Sequence, residues 1–257
     1  MKLSKIFRII LFLILFFGVT AYIVFAVWKF RDGNPDEVCM KVQIDVKGDP
    51  RDTFLDADKV QEMLEAAHVY PKGKLMRNVN TLEIEEALRS NTFIEQVECY
   101  KAANNKDIGA GKVCVRVSLR TPVVFVLPDN QAGYYVDASG MVIPNSSYSR
   151  NIVTATGKIS QEYATNELAQ FGAFIRANAF WDNQIEQIYV AIDPKGQRVV
   201  TLVPRVGDQE IYMGTLDGYE KKLRRLRIFY QKGIPEFGWN KYKRLNLEFD
   251  NQIVCTK

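Results

Sequence analysis

The chain has 257 residues, a formal net charge of +4 and 47% hydrophobic residues. That length suits one large domain or two small ones. The charge is small for the length and does not indicate a nucleic-acid-binding protein, which would usually concentrate its basic residues into a stripe. The cysteines are widely spaced and form no C-x-x-C pair, which is the wrong spacing for a zinc site.

An apolar run near the N-terminus, residues 9–28, contains no charged residue. A helix of that length can cross the hydrocarbon core of a bilayer, which is roughly 30 Å thick, and it pairs its backbone polar groups internally. Lys2, Lys5 and Arg8 precede the run, so the positive-inside rule places the N-terminus in the cytoplasm. We predict a cytoplasmic tail (1–8), a single transmembrane helix (9–28) and a linker (29–37), with the bulk of the chain outside the cytoplasm.

A cleaved signal peptide is the competing interpretation of the same run. Val19-Thr20-Ala21 resembles a weak cleavage site after a shorter apolar core. The apolar residues continue through Val27, however, which is further than a signal peptide needs. This continuation favours an uncleaved anchor.

Residues 38–120 are predicted to form a small α+β unit with the order strand, helix, helix, strand, strand. The segment 39–46 alternates apolar and polar residues, which predicts a half-buried strand. One helix begins after Asp56 or Asp58 and ends near His68, and Asn80 caps the second. The residues expected to face inward are Val60, Met63, Leu64 and Ala67 in the first helix, and Leu82, Ile84, Ala87 and Leu88 in the second. Strands at 93–100 and 112–119 complete the sheet, with both helices on one face.

Residues 121–257 are predicted to form a mixed β-sheet domain with two helices. Strand-like segments separated by turn signals lie at 123–128, 133–137, 151–157, 184–193, 197–204, 209–214 and 243–253. The helices are expected at about 161–178 and 217–232. In the last strand, Leu245, Leu247 and Phe249 alternate with polar residues, so we expect these three to face the core.

No catalytic constellation is visible in the sequence. His68 is the one imidazole, so a Ser/His/Asp triad would require it, and its position near a helix end is typical of a surface or structural histidine. No Gly-rich phosphate-binding motif is present. Asp129, Asp137 and Asp193 fall at turns, where the backbone favours aspartate. We therefore expect a protein that is not an enzyme and needs no metal or cofactor.

The most basic segment is the run 221–227. Leu223, Leu226 and Tyr230 recur at helical spacing, so the charges are predicted to form the solvated side of an amphipathic helix. A surface that binds lipid or polymer is the alternative interpretation.

Cys99 and Cys114 lie on the two strands that are predicted to form a hairpin. Alternation places their side chains on opposite faces of the sheet, where they cannot meet the Cβ geometry of a disulfide. We expect no bridge between them.

Three segments carry a family resemblance. Residues 115–122 (Val-Arg-Val-Ser-Leu-Arg-Thr-Pro), 134–144 with Asp137-Ala138-Ser139-Gly140 at its centre, and 244–250 occur in this order. They resemble, in turn, the join between the two extracytoplasmic domains, a β-hairpin and the final strand of the FtsQ/DivIB family of bacterial cell-division proteins. Thr121 and the Asn246-Leu247-Glu248 core depart from the family pattern.

The resemblance implies a membrane-anchored scaffold of the divisome, in the inner membrane at the division septum. It implies that 38–120 is a POTRA-like domain and that 121–257 is the family's β domain. The implied partners are two small bitopic division proteins, FtsB (or DivIC) and FtsL, and the implied role is to help control septal peptidoglycan synthesis. In the family, the partner pairs with the final strand of the β domain.

The expected binding site is therefore the final strand, 243–253, with the aromatic residues beside it. A strand at a sheet edge offers unpaired N–H and C=O groups to an extended segment. The residues expected to contact the partner are Trp239, Tyr242, Arg244, Asn246, Glu248, Asp250 and Gln252. The competing interpretation is an ordinary closing strand whose edge is covered by the tail at Cys255.

Two other functional classes stay open. A POTRA-type chaperone or transport component of the cell envelope would bind unfolded substrates by strand addition. It would usually bring several POTRA units or a membrane barrel, for which the sequence gives no sign. A membrane-anchored cell-wall enzyme lacks a credible catalytic site.

Overall fold

The computed structural model describes residues 5–31, 37–48, 55–103, 110–145 and 152–257. Residues 1–4 of the predicted tail and 32–36 of the predicted linker lie outside the described residues. A long helix, α1 (Lys5–Arg31), comes first. Its window Ile10–Val27 has a mean hydropathy of 2.8 and is long and apolar enough to cross a membrane.

The polar side chain of Thr20 is satisfied within α1. Its hydroxyl donates to the carbonyls of Phe16 and Phe17, at 2.9 and 3.0 Å. A hydroxyl in hydrocarbon needs such a partner, because lipid offers none. The helix can therefore carry Thr20 at membrane depth.

The chain folds into two compact units. The first contains a three-stranded sheet in the order β1 (Val38–Lys47), β3 (Ala110–Leu119), β2 (Ile94–Ala103). Its helices are α2 (Ala57–Ala66) and α3 (Thr81–Arg89), with a short 3-10 turn (Met76–Asn78) between them. The predicted β-α-α-β-β order is confirmed.

Local chemistry fixes the ends of these two helices. The side-chain oxygen of Asn80 accepts hydrogen bonds from the N–H groups of Leu82 and Glu83, which caps α3 as predicted. After α2, His68 takes a left-handed conformation with φ 60°, which ends the helical backbone there. Its exposed side chain is typical of a helix-end residue, as the sequence indicated.

The inward faces are narrower than the sequence predicted. Val60 and Leu64 of α2 and Ile84 and Leu88 of α3 are buried, but Leu82 is 65% exposed. At about 100° per residue, Leu82 lies about 160° around the helix from Ile84 and about 120° from Leu88, on the side away from the buried stripe. Ala67 is also exposed, because α2 ends at Ala66 and Ala67 lies in the turn.

The second unit contains a nine-stranded sheet in the order β12-β11-β10-β9-β8-β7-β4-β5-β6. These strands are β4 (Pro122–Pro128), β5 (Tyr134–Asp137), β6 (Val142–Pro144), β7 (Thr154–Gly157), β8 (Ile185–Ile192), β9 (Arg198–Pro204), β10 (Glu210–Gly214), β11 (Arg244–Asn246) and β12 (Val254–Thr256). The sheet is mixed, because β4, β7 and β8 run parallel to one another while most other neighbours are antiparallel.

The helices of this unit are shorter and more divided than predicted. The helix expected at 161–178 consists of α4 (Gln161–Tyr163), a π-helical turn (Ala164–Leu168) and α5 (Ala169–Ala177). The helix expected at 217–232 is α7 (Tyr219–Lys232). Two short helices were not predicted, α6 (Ala179–Gln184) and α8 (Ile234–Phe237).

Strand register places one apolar row under the helices. The residues paired across neighbouring strands in this row are Val126, Ala155, Ile188, Leu202, Ile211 and Leu245. Each is at most 1% exposed and belongs to one core with residues of α5 and α7. A one-residue slip of any strand would turn its row member to the opposite face, so burial fixes the register.

A tight turn, residues 137–141, joins β5 and β6 as predicted. Asp137 accepts hydrogen bonds from the N–H and hydroxyl of Ser139, from the N–H of Met141 and from the Arg120 guanidinium, all at 2.7–2.9 Å. Burial alone would raise the pKa of Asp137. The hydrogen bonds from Ser139, Arg120 and Met141 outweigh burial and hold its pKa below the ordinary 3.8.

Gly140 completes this turn with φ +83°. A Cβ at this position would clash with the backbone carbonyl oxygen of Thr165 in the π-helical turn. The hairpin and the π-helical turn therefore approach so closely that only glycine fits between them.

Replacing Gly140 by alanine should destabilise the second unit more than the same change at Gly196. Both glycines have φ near +80°, but a Cβ at Gly196 meets nothing. We expect Gly196→Ala to cost about 1–2 kcal/mol of unfolding free energy from backbone strain. Gly140→Ala should cost about 1–3 kcal/mol more, because the backbone must also move away from Thr165. Urea unfolding followed by the fluorescence of buried Trp181 measures both; equal losses would contradict the predicted contact.

Asp137→Asn should weaken the pH dependence of stability. Because the folded pKa of Asp137 lies below its ordinary 3.8, the carboxylate contributes stability above that value and loses the contribution as the pH falls through the folded pKa. The unfolding free energy of the wild type should therefore fall more steeply on acidification below pH 3.8 than that of the variant. Urea unfolding at a series of pH values tests this, and parallel pH profiles would count against it.

Candidate protein-binding site

The C-terminal segment forms a hairpin instead of the single strand predicted over 243–253. β11 pairs with β10 in parallel on one side and with β12 in antiparallel on the other. β11 is thus an interior strand, and β12 forms the edge of the sheet. The prediction that 243–253 is the edge strand is wrong, because the tail at Cys255 pairs along β11 as β12.

β11 ends at Asn246, and the chain then reverses direction before it forms the antiparallel strand β12. Asn251 has φ 61°, a left-handed conformation that asparagine tolerates in turns. The dipeptide Asp250-Asn251 is a turn signal that the alternation of leucines and Phe249 concealed. The backbone of β11 is engaged on both sides, since Leu247 N–H donates to the carbonyl of Tyr212 and Lys243 N–H donates to that of Thr256.

The turn after β11 explains why two of the three residues predicted to face the core do so and the third does not. Leu245 and Leu247 are buried in the core, as expected. Phe249 was expected to be buried as well but is 46% exposed, because the chain bends there into the turn at Asp250-Asn251.

The predicted contact residues occupy three short stretches. Arg244 and Asn246 share the face of β11 opposite to buried Leu245, and the Arg244 guanidinium lies 4.4 Å from the centre of the Tyr212 ring. Glu248, Asp250 and Gln252 are exposed in the segment between β11 and β12. Trp239 and Tyr242 precede β11.

The two aromatic residues have different surroundings. Trp239 is exposed and packs edge-to-face on Tyr230 at 5.3 Å between ring centres. Tyr242 is half-buried against Phe229 and Phe237, at 6.5 and 6.2 Å. Tyr242 directly precedes Lys243, whose N–H donates to the carbonyl of Thr256 in β12, while Trp239 packs on α7.

Two residues of the basic run hold the ends of β10 and β11 in place. The Lys222 ammonium donates to the carbonyls of Met213 and Thr215, at 3.0 and 2.8 Å, and burial lowers its pKa. The Arg225 guanidinium donates to the carbonyl of Leu247 at 2.8 Å. The prediction that the whole run is solvated is therefore wrong for Lys222 and Arg225, while Lys221, Arg224 and Arg227 are exposed.

The sequence did not single out the edge strand itself. Because the Thr256 carbonyl points towards β11, the N–H and C=O of Cys255 point away from it, to the outer side. Val254 of this strand is 42% exposed, and two other large apolar side chains of the C-terminal segment, Trp239 and Phe249, are 37% and 46% exposed. The short alternation Val254-Cys255-Thr256 was the available signal.

All four cysteines are free thiols in the structure. Cys39, Cys99 and Cys114 are buried in the first unit, and Cys255 is half-buried. Burial raises the pKa of Cys99 to about 12, which keeps it protonated and unreactive. The absence of a bridge between Cys99 and Cys114 stays a prediction, which thiol counting on denatured, unreduced protein can check.

Protein-family models match both units. Residues 121–256, more than half of the chain, match a model described as FtsQ/DivIB, C-terminal related. The chain belongs to the FtsQ/DivIB family. Residues 37–118 match a POTRA-like domain, which confirms the predicted fold class of an apolar N-terminal helix, a POTRA-like domain and a mixed β-sheet domain. No curated protein sequence matches the chain.

Membership in the FtsQ/DivIB family gives the protein a general role. It is a membrane-anchored cell-division protein from a family of non-catalytic scaffolds. The domain boundaries 38–120 and 121–257, and the seven contact residues, stay predictions.

Arg225→Met should destabilise the β domain, whereas Lys221→Met should not. The Arg225 variant leaves the buried Leu247 carbonyl without its donor, which should cost about 1–3 kcal/mol. Lys221 is exposed on the same helix and carries the same charge, so its replacement should change the unfolding free energy by less than about 0.5 kcal/mol. Urea unfolding gives both values, and hydrogen exchange across 247–253 should rise in the Arg225 variant alone. Equal effects of the two changes would contradict the anchoring role.

Proposed function

We propose that this FtsQ/DivIB-family protein is a non-enzymatic scaffold of the divisome that binds an extended segment of a partner by strand addition at β12. The observation that carries the proposal is the position of β12 at the end of the nine-stranded sheet. Its one neighbour among the described strands is β11. The outward N–H and C=O of Cys255 are therefore a template for another strand.

The surroundings of the edge favour a protein partner over a solvated end. Trp239, Phe249 and Val254 expose large apolar side chains in the same C-terminal segment. Exposed apolar residues beside a free strand edge are typical of an interaction surface. The predicted polar contacts Arg244, Asn246, Glu248, Asp250 and Gln252 lie beside them, with Tyr242, and would select the partner sequence.

Family membership supports the choice of partners. We propose small bitopic division proteins of the FtsB (DivIC) and FtsL type, bound on the periplasmic side. In this arrangement the N-terminus is cytoplasmic, the protein lies in the inner membrane at the septum, and the complex helps to control septal cell-wall synthesis.

Cys255→Pro and Cys255→Ala form a matched pair that tests strand addition. Proline removes the outward N–H, whereas alanine keeps it and removes the same thiol. A sheet tolerates proline at an edge position whose N–H faces outward, so both variants should fold. Tagged full-length protein, solubilised gently from the membrane, should co-purify with small single-span division proteins in the wild type and in Cys255→Ala. We expect Cys255→Pro to reduce that yield at least about tenfold, since main-chain pairing supplies much of the affinity.

Full retention of the partners by folded Cys255→Pro would refute the edge as the contact. A photo-crosslinking residue at Thr256 gives a second readout that does not depend on proline being tolerated, with one at exposed Lys195 as its control. Capture of outer-membrane barrels or unfolded envelope proteins instead would favour a POTRA-type chaperone or transport component.

A further inference from the structure

A separate cleft of about 380 Å³ opens beside α7 in the β domain. The residues that line it are Phe174, Asn178, Trp181, Glu220, Arg224 and Arg227, and we call it the α7 cleft. Trp181 is buried and Phe174 half-buried, so aromatic rings form its floor. The charged residues all come from α7.

The α7 cleft lies on the side of α7 that faces away from the anchoring residues. With 3.6 residues per turn, Glu220, Arg224 and Arg227 lie roughly 140–200° around the helix from Lys222. Arg225 lies on the side of Lys222, and these two hold β10 and β11. The basic run is thus divided into a structural side and a free side.

The two arginines of the free side lack carboxylate partners. Arg224 makes no hydrogen bond or ion pair with any residue that the structure describes. Arg227 makes one described contact, with its guanidinium 5.1 Å from the centre of the Phe180 ring. A cation–π contact uses the charge of the guanidinium and leaves its N–H groups free to donate. The cleft therefore presents two forked donors without a bonded carboxylate, together with Glu220 and the aromatic rings of Phe174 and Trp181.

Glu220 narrows the choice of ligand. A phosphate-rich surface, such as an anionic membrane, would bring many negative charges close to this carboxylate, which would repel them. A peptide brings carboxylates for the arginines and also backbone N–H groups that a carboxylate accepts. The mixture of charges at the cleft fits a peptide better than a uniform polyanion.

We propose that the α7 cleft binds an acidic peptide segment of a partner protein. Arg224 and Arg227 donate to its carboxylates, Glu220 accepts from its backbone, and an apolar side chain packs on Phe174. This site is distinct from the β12 edge, so either proposal can fail without the other.

A short fluorescein-labelled peptide of alternating glutamate and leucine is a suitable probe. Full-length protein in nanodiscs of zwitterionic lipid should bind it, as measured by fluorescence anisotropy. The test variant carries both Arg224→Gln and Arg227→Gln. The control variant carries both Lys221→Gln and Lys232→Gln, which removes the same charge from exposed positions of α7 outside the cleft. We expect the arginine double variant to weaken binding at least about tenfold, and the lysine double variant less than about twofold.

Three results would overturn the proposal. Equal weakening in both double variants would indicate general attraction between the basic helix and the probe. Equal binding of a peptide with glutamine in place of glutamate would exclude recognition of carboxylates. Binding of phosphatidylglycerol vesicles that depends on Arg224 and Arg227, without peptide binding, would assign the cleft to the membrane surface. Midpoints of thermal unfolding equal to that of the wild type would show that all variants are folded.

Discussion

The register of the nine-stranded sheet is the constraint on which the β domain depends. It aligns one residue from each of six neighbouring strands, from Val126 to Leu245, in a fully buried row beneath the helices. Each strand must keep its phase, because a slip by one residue would exchange buried and exposed side chains. Such an open sheet ends at two edges, and β12 is the edge that the C-terminal segment supplies. The proposed binding site exists because the alignment that buries the core leaves β12 as the last strand of the sheet.

The charged residues of helix α7 fall into two groups, one that bonds the sheet and one that is exposed to solvent. Lys222 and Arg225 donate to backbone carbonyls at the ends of β10 and β11. A charged donor to a buried carbonyl contributes more than an exposed ion pair, since its removal leaves the acceptor unsatisfied. Arg224 and Arg227 donate to no backbone carbonyl within the part of the chain that the structure describes. One amphipathic pattern therefore contains both the residues that fix the hairpin and those that are free to bind.

Features set by neighbouring residues were predictable from the sequence, and features set by distant pairing were not. Asn80 caps its helix and Asp137 to Gly140 form a tight turn because both act within a few residues. The alternation of Leu245, Leu247 and Phe249 predicted a continuous strand and concealed the turn signal at Asp250-Asn251, and the pairing of β11 with β12 decides between these two signals. For the site, sequence and family resemblance located the right stretch of chain, but the structure changed which strand forms the edge.

The size of the edge limits what strand addition alone can supply. β12 has three residues, and a hydrogen bond contributes only about 0.5–1.5 kcal/mol net. Main-chain pairing at so short an edge falls well below the roughly 8 kcal/mol that micromolar binding requires. Under the proposal, the exposed Trp239, Phe249 and Val254 would supply much of the affinity, as buried aromatic and apolar anchors do in other interfaces. If one partner also reached the α7 cleft, linkage would raise its local concentration there and strengthen both contacts without a longer edge. In the proposed complex, the short edge strand would orient the partner, and the exposed side chains of the same segment would supply most of the affinity.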